Sequence, residues 1–219
     1  PYTASSTGLT GALFPRWSLV GGREATLARM ADSGERSRML SDVDGFYEEY
    51  GGSDRVVIAR HVPEPSFEGM SMFQIADSLN CTSAEAALRL YERDGGQVVV
   101  HAMNEDDLDL VASHPLISVA SDGTSLSSDG ILSAGRPHPR HYGTYPRFLA
   151  QFVREKQLVT LEEAVRRMTM LPASRLGVTR RGRIAPGFGA DMVVFDPDTV
   201  ADTATFESPH SYPVGIPHV

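Results

Sequence analysis

Asp122 is the carboxylate best placed to do chemistry. It follows the apolar run Leu116–Ala120 at once and precedes Gly123. A carboxylate at a strand end can ligate a hard or borderline cation such as Zn2+, or take a proton from metal-bound water. Ser121-Asp122-Gly123 is equally ordinary turn chemistry. Downstream stands His138-Pro139-Arg140-His141. The Arg140 guanidinium can clamp a carboxylate with two parallel hydrogen bonds, or it can sit in an exposed basic turn. His138 and His141 have ligand chemistry, but no third ligand lies near them in sequence.

Other reactive types carry less. Cys81 precedes a helix start, where a thiol pKa can fall, yet no His or Asp partner is evident, so it reads as a packing residue. Glu105, Asp106, Asp107 and Asp109 read as the acidic first turns of a helix, favoured by its dipole. Gly187-Phe188-Gly189 lacks the third glycine and the helix of a dinucleotide fingerprint. There is no phosphate loop, no His-x-His and no Cys-x-x-Cys.

The elements that must position these groups follow from periodicity. Leu27, Met30 and Ala31 predict a helix over 23–40. Arg55–Ala59 predicts a short strand. Met72, Ile75, Ala76 and Leu79 keep helical spacing and predict a helix over 71–79. Thr82-Ser83-Ala84-Glu85 and Thr160-Leu161-Glu162-Glu163 fit capping boxes, each opening a helix. Gln97–His101 and Leu116–Ala120 read as strands, with helix 105–113 between them. A long polar loop, 124–146, precedes helix 147–156, and Met192–Asp196 reads as a strand. Strand–helix alternation of this kind predicts a parallel α/β sheet or barrel, with active residues at the C-terminal ends of the strands. Residues 97–170 hold two such units, too few to close a barrel.

Composition narrows the class. The 219 residues hold 41% hydrophobic and 22% charged residues, the balance of a soluble globular chain. Lys and Arg number 20 against 28 Asp and Glu, a formal net charge of −8, which argues against nucleic acid as partner. No apolar run approaches membrane-spanning length. The single cysteine excludes an internal disulfide, and no targeting segment is seen, so the expected compartment is cytoplasmic. The chain opens at Pro1 and closes in extended-looking sequence, so both ends read as cuts through a longer protein.

Several ordered stretches carry a family resemblance. They are Ala120-Ser121-Asp122-Gly123, Arg136-Pro137-His138-Pro139-Arg140, Tyr142-Gly143-Thr144-Tyr145-Pro146-Arg147, Arg181-Gly182-Arg183-Ile184-Ala185-Pro186-Gly187 and Ala190-Asp191-Met192-Val193-Val194-Phe195-Asp196-Pro197. Together they resemble the D-aminoacylase (N-acyl-D-amino-acid deacylase) family of the amidohydrolase superfamily. The match is dense from about residue 97 to 219 and weaker over 1–96.

The resemblance implies an α/β protein: the C-terminal part of a TIM-like (β/α)8 amidohydrolase barrel, with an inserted subdomain and part of a small β-sandwich. Residues 1–96 would be the insertion after a barrel strand. Residues 97–172 would be the last barrel units and 173–219 part of the sandwich. It implies zinc-dependent hydrolysis of N-acyl-D-amino acids, with one or two ions and most ligands upstream of Pro1. It places Asp122 as zinc contact and general base, and Arg140 on the substrate α-carboxylate. Ser6 and Met103 would line the substrate pocket. Three other readings stay open: a dihydropyrimidinase-like amidohydrolase, a D-dipeptidase, or a non-catalytic, incomplete chain.

Overall fold

In the computed structural model of the protein, residues 1–216 are described. They divide into two units, one of residues 4–102 with 134–138, the other of 1–3, 103–133 and 139 onward. The last residues of the predicted sandwich part, 217–219, lie outside the described residues.

In the unit of 4–102, the predicted helix over 23–40 is two helices, α2 (Gly22–Ala31) and α3 (Ser33–Tyr50). Asp32 separates them. Its backbone is extended, and its carboxylate accepts from Gly34 N at 3.0 Å and Glu35 N at 2.8 Å, so it caps the second helix and ends the first. Three residues of α3, Met39, Val43 and Tyr47, recur at helical spacing and are buried with Leu9 and Leu13 of α1 (Leu9–Leu13).

Helices α4 (Met72–Ser78) and α5 (Ser83–Glu92) fall where the spacing predicts them. Their caps differ from expectation. Thr82 accepts from Glu85 N at 3.1 Å, but the Glu85 carboxylate turns to Arg36 at 2.7 and 2.8 Å and to Arg89 at 3.1 Å. A guanidinium is a stronger partner for a carboxylate than a backbone amide, so only the hydroxyl half of the box forms. The reciprocal box sits at Ser71 and Gln74 instead.

The sheet of this unit has β3 (Gln97–Val100) between β1 (Ser5–Gly8) and β2 (Val56–Arg60). Both pairings are antiparallel, with Ser5 and Val56 each opposite Val100. The strand–helix alternation predicts parallel pairing, but the partners of β3 come from far off in sequence and run the other way. A bulge falls between Ile58 and Arg60. Gly96, at φ +133°, passes so close to the Arg60 carbonyl that a Cβ there would lie 2.5 Å from it, which a side chain cannot satisfy.

The other unit is built on α6 (Glu105–Ser113), α7 (Arg140–Arg147), α8 (Leu161–Met168) and α9 (Met170–Arg175). Asn104 caps α6 through Asp107 N at 2.8 Å. The predicted helix over 147–156 is a π-helix, Phe148–Glu155, running straight on from α7. Pro146 lies just before it and removes one backbone donor from the ladder. The wider turn stacks Phe148 on Phe152, centroids 5.1 Å apart, over Ala112, Val119 and Ala164. Thr160 caps α8 at 3.3 Å, while the Glu163 carboxylate pairs with Arg166.

Two predicted strands do not form ladders among the described residues. Within Met192–Asp196, Val194 is a bridge residue. Leu116–Ala120 has no strand assignment. A strand draws its hydrogen bonds from neighbours, and this segment draws them from arginines instead. Arg166 Nη2 donates to Pro115 O at 3.0 Å and Arg175 Nη2 to Leu116 O at 2.6 Å. Arg167 Nε donates to Ile117 O at 2.6 Å, and the Arg167 carbonyl accepts from Val119 N at 3.2 Å.

Candidate active site

Leu116–Ala120 delivers the chain to Asp122, and its anchor is Arg167. That side chain is 1% exposed. Besides Ile117 O it reaches Ala112 O at 2.5 Å, and its guanidinium lies 5.4 Å from the Phe148 ring centroid. Burial holds its pKa below the usual arginine value. One of its terminal nitrogens, Nη2, has no hydrogen-bond partner among the described residues. Sequence reasoning missed it, because an arginine pair on an amphipathic helix reads as a solvated face.

Asp122 itself adopts the left-handed region, φ +49°, which asparagine and aspartate tolerate better than other non-glycine residues. Ser121 Oγ accepts from Gly123 N at 3.2 Å, the local side-chain turn that Ser-Asp-Gly favours. The Asp122 side chain is 85% exposed, and its Oδ2 lies 2.9 Å from Arg140 Nη2. Arg140 begins α7 and is largely buried, 16% exposed. The two residues to which sequence reasoning gives chemistry are therefore joined by an ion pair.

The residues after Arg140 hold the same loop. His141 Nδ1 accepts from Thr124 N at 2.8 Å. Tyr142 Oη donates to Ser127 O at 2.8 Å and lies 3.0 Å from His210 Nδ1. Burial lowers the His141 pKa, and the Arg140 charge acts in the same direction.

The other candidates lie elsewhere. Met103 is half exposed, and its amide donates to Thr3 O at 3.2 Å. Ser6 belongs to the other unit, on β1 opposite Val99. His138 also belongs to that unit. It is fully buried, with Nε2 3.0 Å from Ala4 O, the placement of a structural histidine. Cys81 is partly buried against the apolar core of its unit.

Residues 58–219 match the amidohydrolase family. The chain belongs to that family. It is 40% identical over 166 residues to the N-acyl-D-glutamate deacylase of Alcaligenes xylosoxydans xylosoxydans, covering 76% of this chain and 32% of that protein. It is 36% identical over 162 residues to the D-aminoacylase of the same organism, covering 74% and 31%. Its fold matches the N-acyl-D-glutamate deacylase of Bordetella bronchiseptica, solved with zinc and a phosphonate mimic of the tetrahedral intermediate, with TM-score 0.68 and 33% identity. That match covers 85% of this chain and 42% of the other. A D-aminoacylase with a binuclear metal centre matches with TM-score 0.70 and 31% identity, over 99% of this chain and 36% of that one. The amidohydrolase chain thus spans about a third of the length of the curated relatives it matches.

Zinc needs three or four protein donors. Among the described residues no group of three or more His, Cys, Asp or Glu side chains is arranged to hold a metal ion. Asp122 offers one exposed carboxylate, which by itself does not make a zinc site. No helix among the described residues is long and apolar enough to cross a membrane.

Proposed function

We propose that the whole protein hydrolyses the amide bond of N-acyl-D-amino acids, releasing a D-amino acid and a carboxylic acid. The observation that carries this reading is the Asp122–Arg140 pair at 2.9 Å. It sets an aspartate carboxylate beside a guanidinium, in a chain 40% identical to an N-acyl-D-glutamate deacylase.

In this reading Asp122 accepts a proton from the attacking water and passes it to the leaving nitrogen. Its carboxylate would also supply one ligand to zinc. The bound ion would lower the pKa of water and polarise the amide carbonyl. Arg140 grips the substrate α-carboxylate through its planar fork, and so admits one configuration at Cα. Met103 lines the substrate pocket. The arginine-held segment 115–119 and the helices around it correspond to the closing part of a (β/α)8 barrel. Residues 4–102 are its insertion, 103–172 belong to its last units, and 173–216 are a share of a small β-sandwich.

The test is hydrolysis of N-acetyl-D-glutamate and its L enantiomer by the full-length, zinc-loaded protein. Turnover of the D form alone is expected. Equal turnover of both would overturn the assignment of Arg140 as the stereochemical clamp, and turnover of neither, with N-acetyl-D-aspartate and N-acetyl-D-leucine also left intact, would overturn the deacylase reading.

A further inference from the structure

Asp122 is held poorly by its own surroundings. Its side chain is 85% exposed, its backbone is left-handed, and a polar loop follows it. Yet three consecutive side chains at the start of α7 grasp this loop at successive points. Arg140 takes the Asp122 carboxylate at 2.9 Å, His141 takes the Thr124 amide at 2.8 Å, and Tyr142 takes the Ser127 carbonyl at 2.8 Å.

The middle contact is the closest to the backbone of Asp122. Thr124 Oγ1 also lies 3.3 Å from His141 Nδ1. Gly123 packs directly on the same residue: a Cβ there would stand 3.3 Å from His141 Cα and 3.5 Å from Nδ1. The peptide units on the C-terminal side of Asp122 are thus seated on His141, while its carboxylate is seated on Arg140.

Resting on the deacylase reading, we propose that His141 is a positioning residue: through Nδ1 and the Thr124 amide it fixes the backbone from which Asp122 is aimed. The bond requires an unprotonated Nδ1, so the imidazole acts as an acceptor and takes no part in the reaction itself. Nothing in the contact touches Arg140's grip on a substrate. Its loss acts on the aim of the base, and a misplacement on the order of 1 Å near a reacting group costs about 100-fold in rate.

The side-chain oxygen of asparagine can stand where histidine carries Nδ1, whereas the glutamine amide stands nearer the place of Nε2. The test compares His141→Asn, His141→Gln and His141→Phe in the full-length, zinc-loaded protein, on N-acetyl-D-glutamate. His141→Gln and His141→Phe are expected to lower kcat by roughly 10- to 100-fold with little change in KM. His141→Asn is expected to recover most of that loss. Exchange of the Thr124 amide proton, read by NMR, is expected to quicken in the Gln and Phe variants and stay slow in Asn.

The Asn and Gln variants keep the test valid if the Phe variant does not fold. Equal kcat in Asn and Gln, or a loss confined to KM, would overturn the proposal while wild-type turnover upholds the deacylase reading. Unchanged Thr124 exchange in Gln would overturn it whatever the activity. No turnover by wild type would remove the reading on which it rests, and the proposal with it.

Discussion

Arg140 Nη2 lies 2.9 Å from Oδ2 of Asp122, so the clamp and the base of the proposed reaction neutralise one another in this structure. A substrate carboxylate must compete with Asp122 for the same guanidinium. Because the aspartate side chain is largely exposed, that competition is weak: pairs of this kind are worth about 0–1 kcal/mol.

Asp122→Asn in the full-length protein is therefore expected to separate two effects. Turnover falls by roughly 100-fold or more as the base is lost. Affinity for a D-amino-acid product, measured by calorimetry, rises by at most about fivefold as Arg140 is released. Near-normal turnover would remove Asp122 from the chemistry.

Arg140→Lys keeps the charge and loses the fork. The expected outcome in steady-state kinetics is a KM raised about tenfold or more, with kcat less affected. An unchanged KM would take Arg140 out of the substrate site.

Gly143 is packed where no side chain fits. A Cβ there would stand 2.7 Å from Asp202 Cβ and 2.9 Å from Tyr2 Oη. Gly143→Ala gains about 1 kcal/mol of helix propensity in α7. Overpacking costs about 1–3 kcal/mol against it. Net destabilisation is expected in a denaturant melt, and a stabilised variant would show that the contact relaxes freely.

Arg167→Met keeps much of the volume and removes both donors to the Ala112 and Ile117 carbonyls. One buried acceptor, Ala112 O, and one partly buried, Ile117 O, left unpaired cost roughly 1–3 kcal/mol, the expected loss in unfolding free energy. A neutral result would mean that water replaces the guanidinium.

Tyr47 supplies the pH dependence. Its hydroxyl donates to Ser83 O at 3.2 Å, and burial, reinforced by Asp44, pushes its pKa well above the usual value of 10.0. The group is neutral when folded and ionises more readily when unfolded. Its contribution is thus complete below pH 10 and is lost as pH rises further. Melting temperatures from pH 9 upward should fall less steeply in Tyr47→Phe. Parallel curves would refute the assignment.

Much of the helical framework is legible in the sequence. The helices around Ile75 and Leu88 follow from apolar spacing, and Asp122 and Arg140 stand out by residue type and context. Pairing direction is not, because β3 meets partners distant in sequence. The segment at Ile117 has the apolar pattern of a strand, yet of residues 116–120 Val119 alone is buried, and the pattern says nothing of what supplies the hydrogen bonds. Here Arg166, Arg167 and Arg175 supply them, and nothing in their spacing distinguishes them from surface charge. His141 reads as a possible ligand, since a sequence shows that a nitrogen is present and not whether it faces an amide or a metal.

The pairing of Ser5 with Val100 has an evolutionary corollary. Partners in an antiparallel ladder have Cα atoms about 4.5–5.5 Å apart, so the polypeptide enters and leaves the segment 5–100 at neighbouring points. With the strap 134–138 taken along, such a cassette can be lengthened, shortened or exchanged between lineages without rethreading its host. Residues 9–96 can thus change in length while the ladder keeps the two ends of the segment side by side.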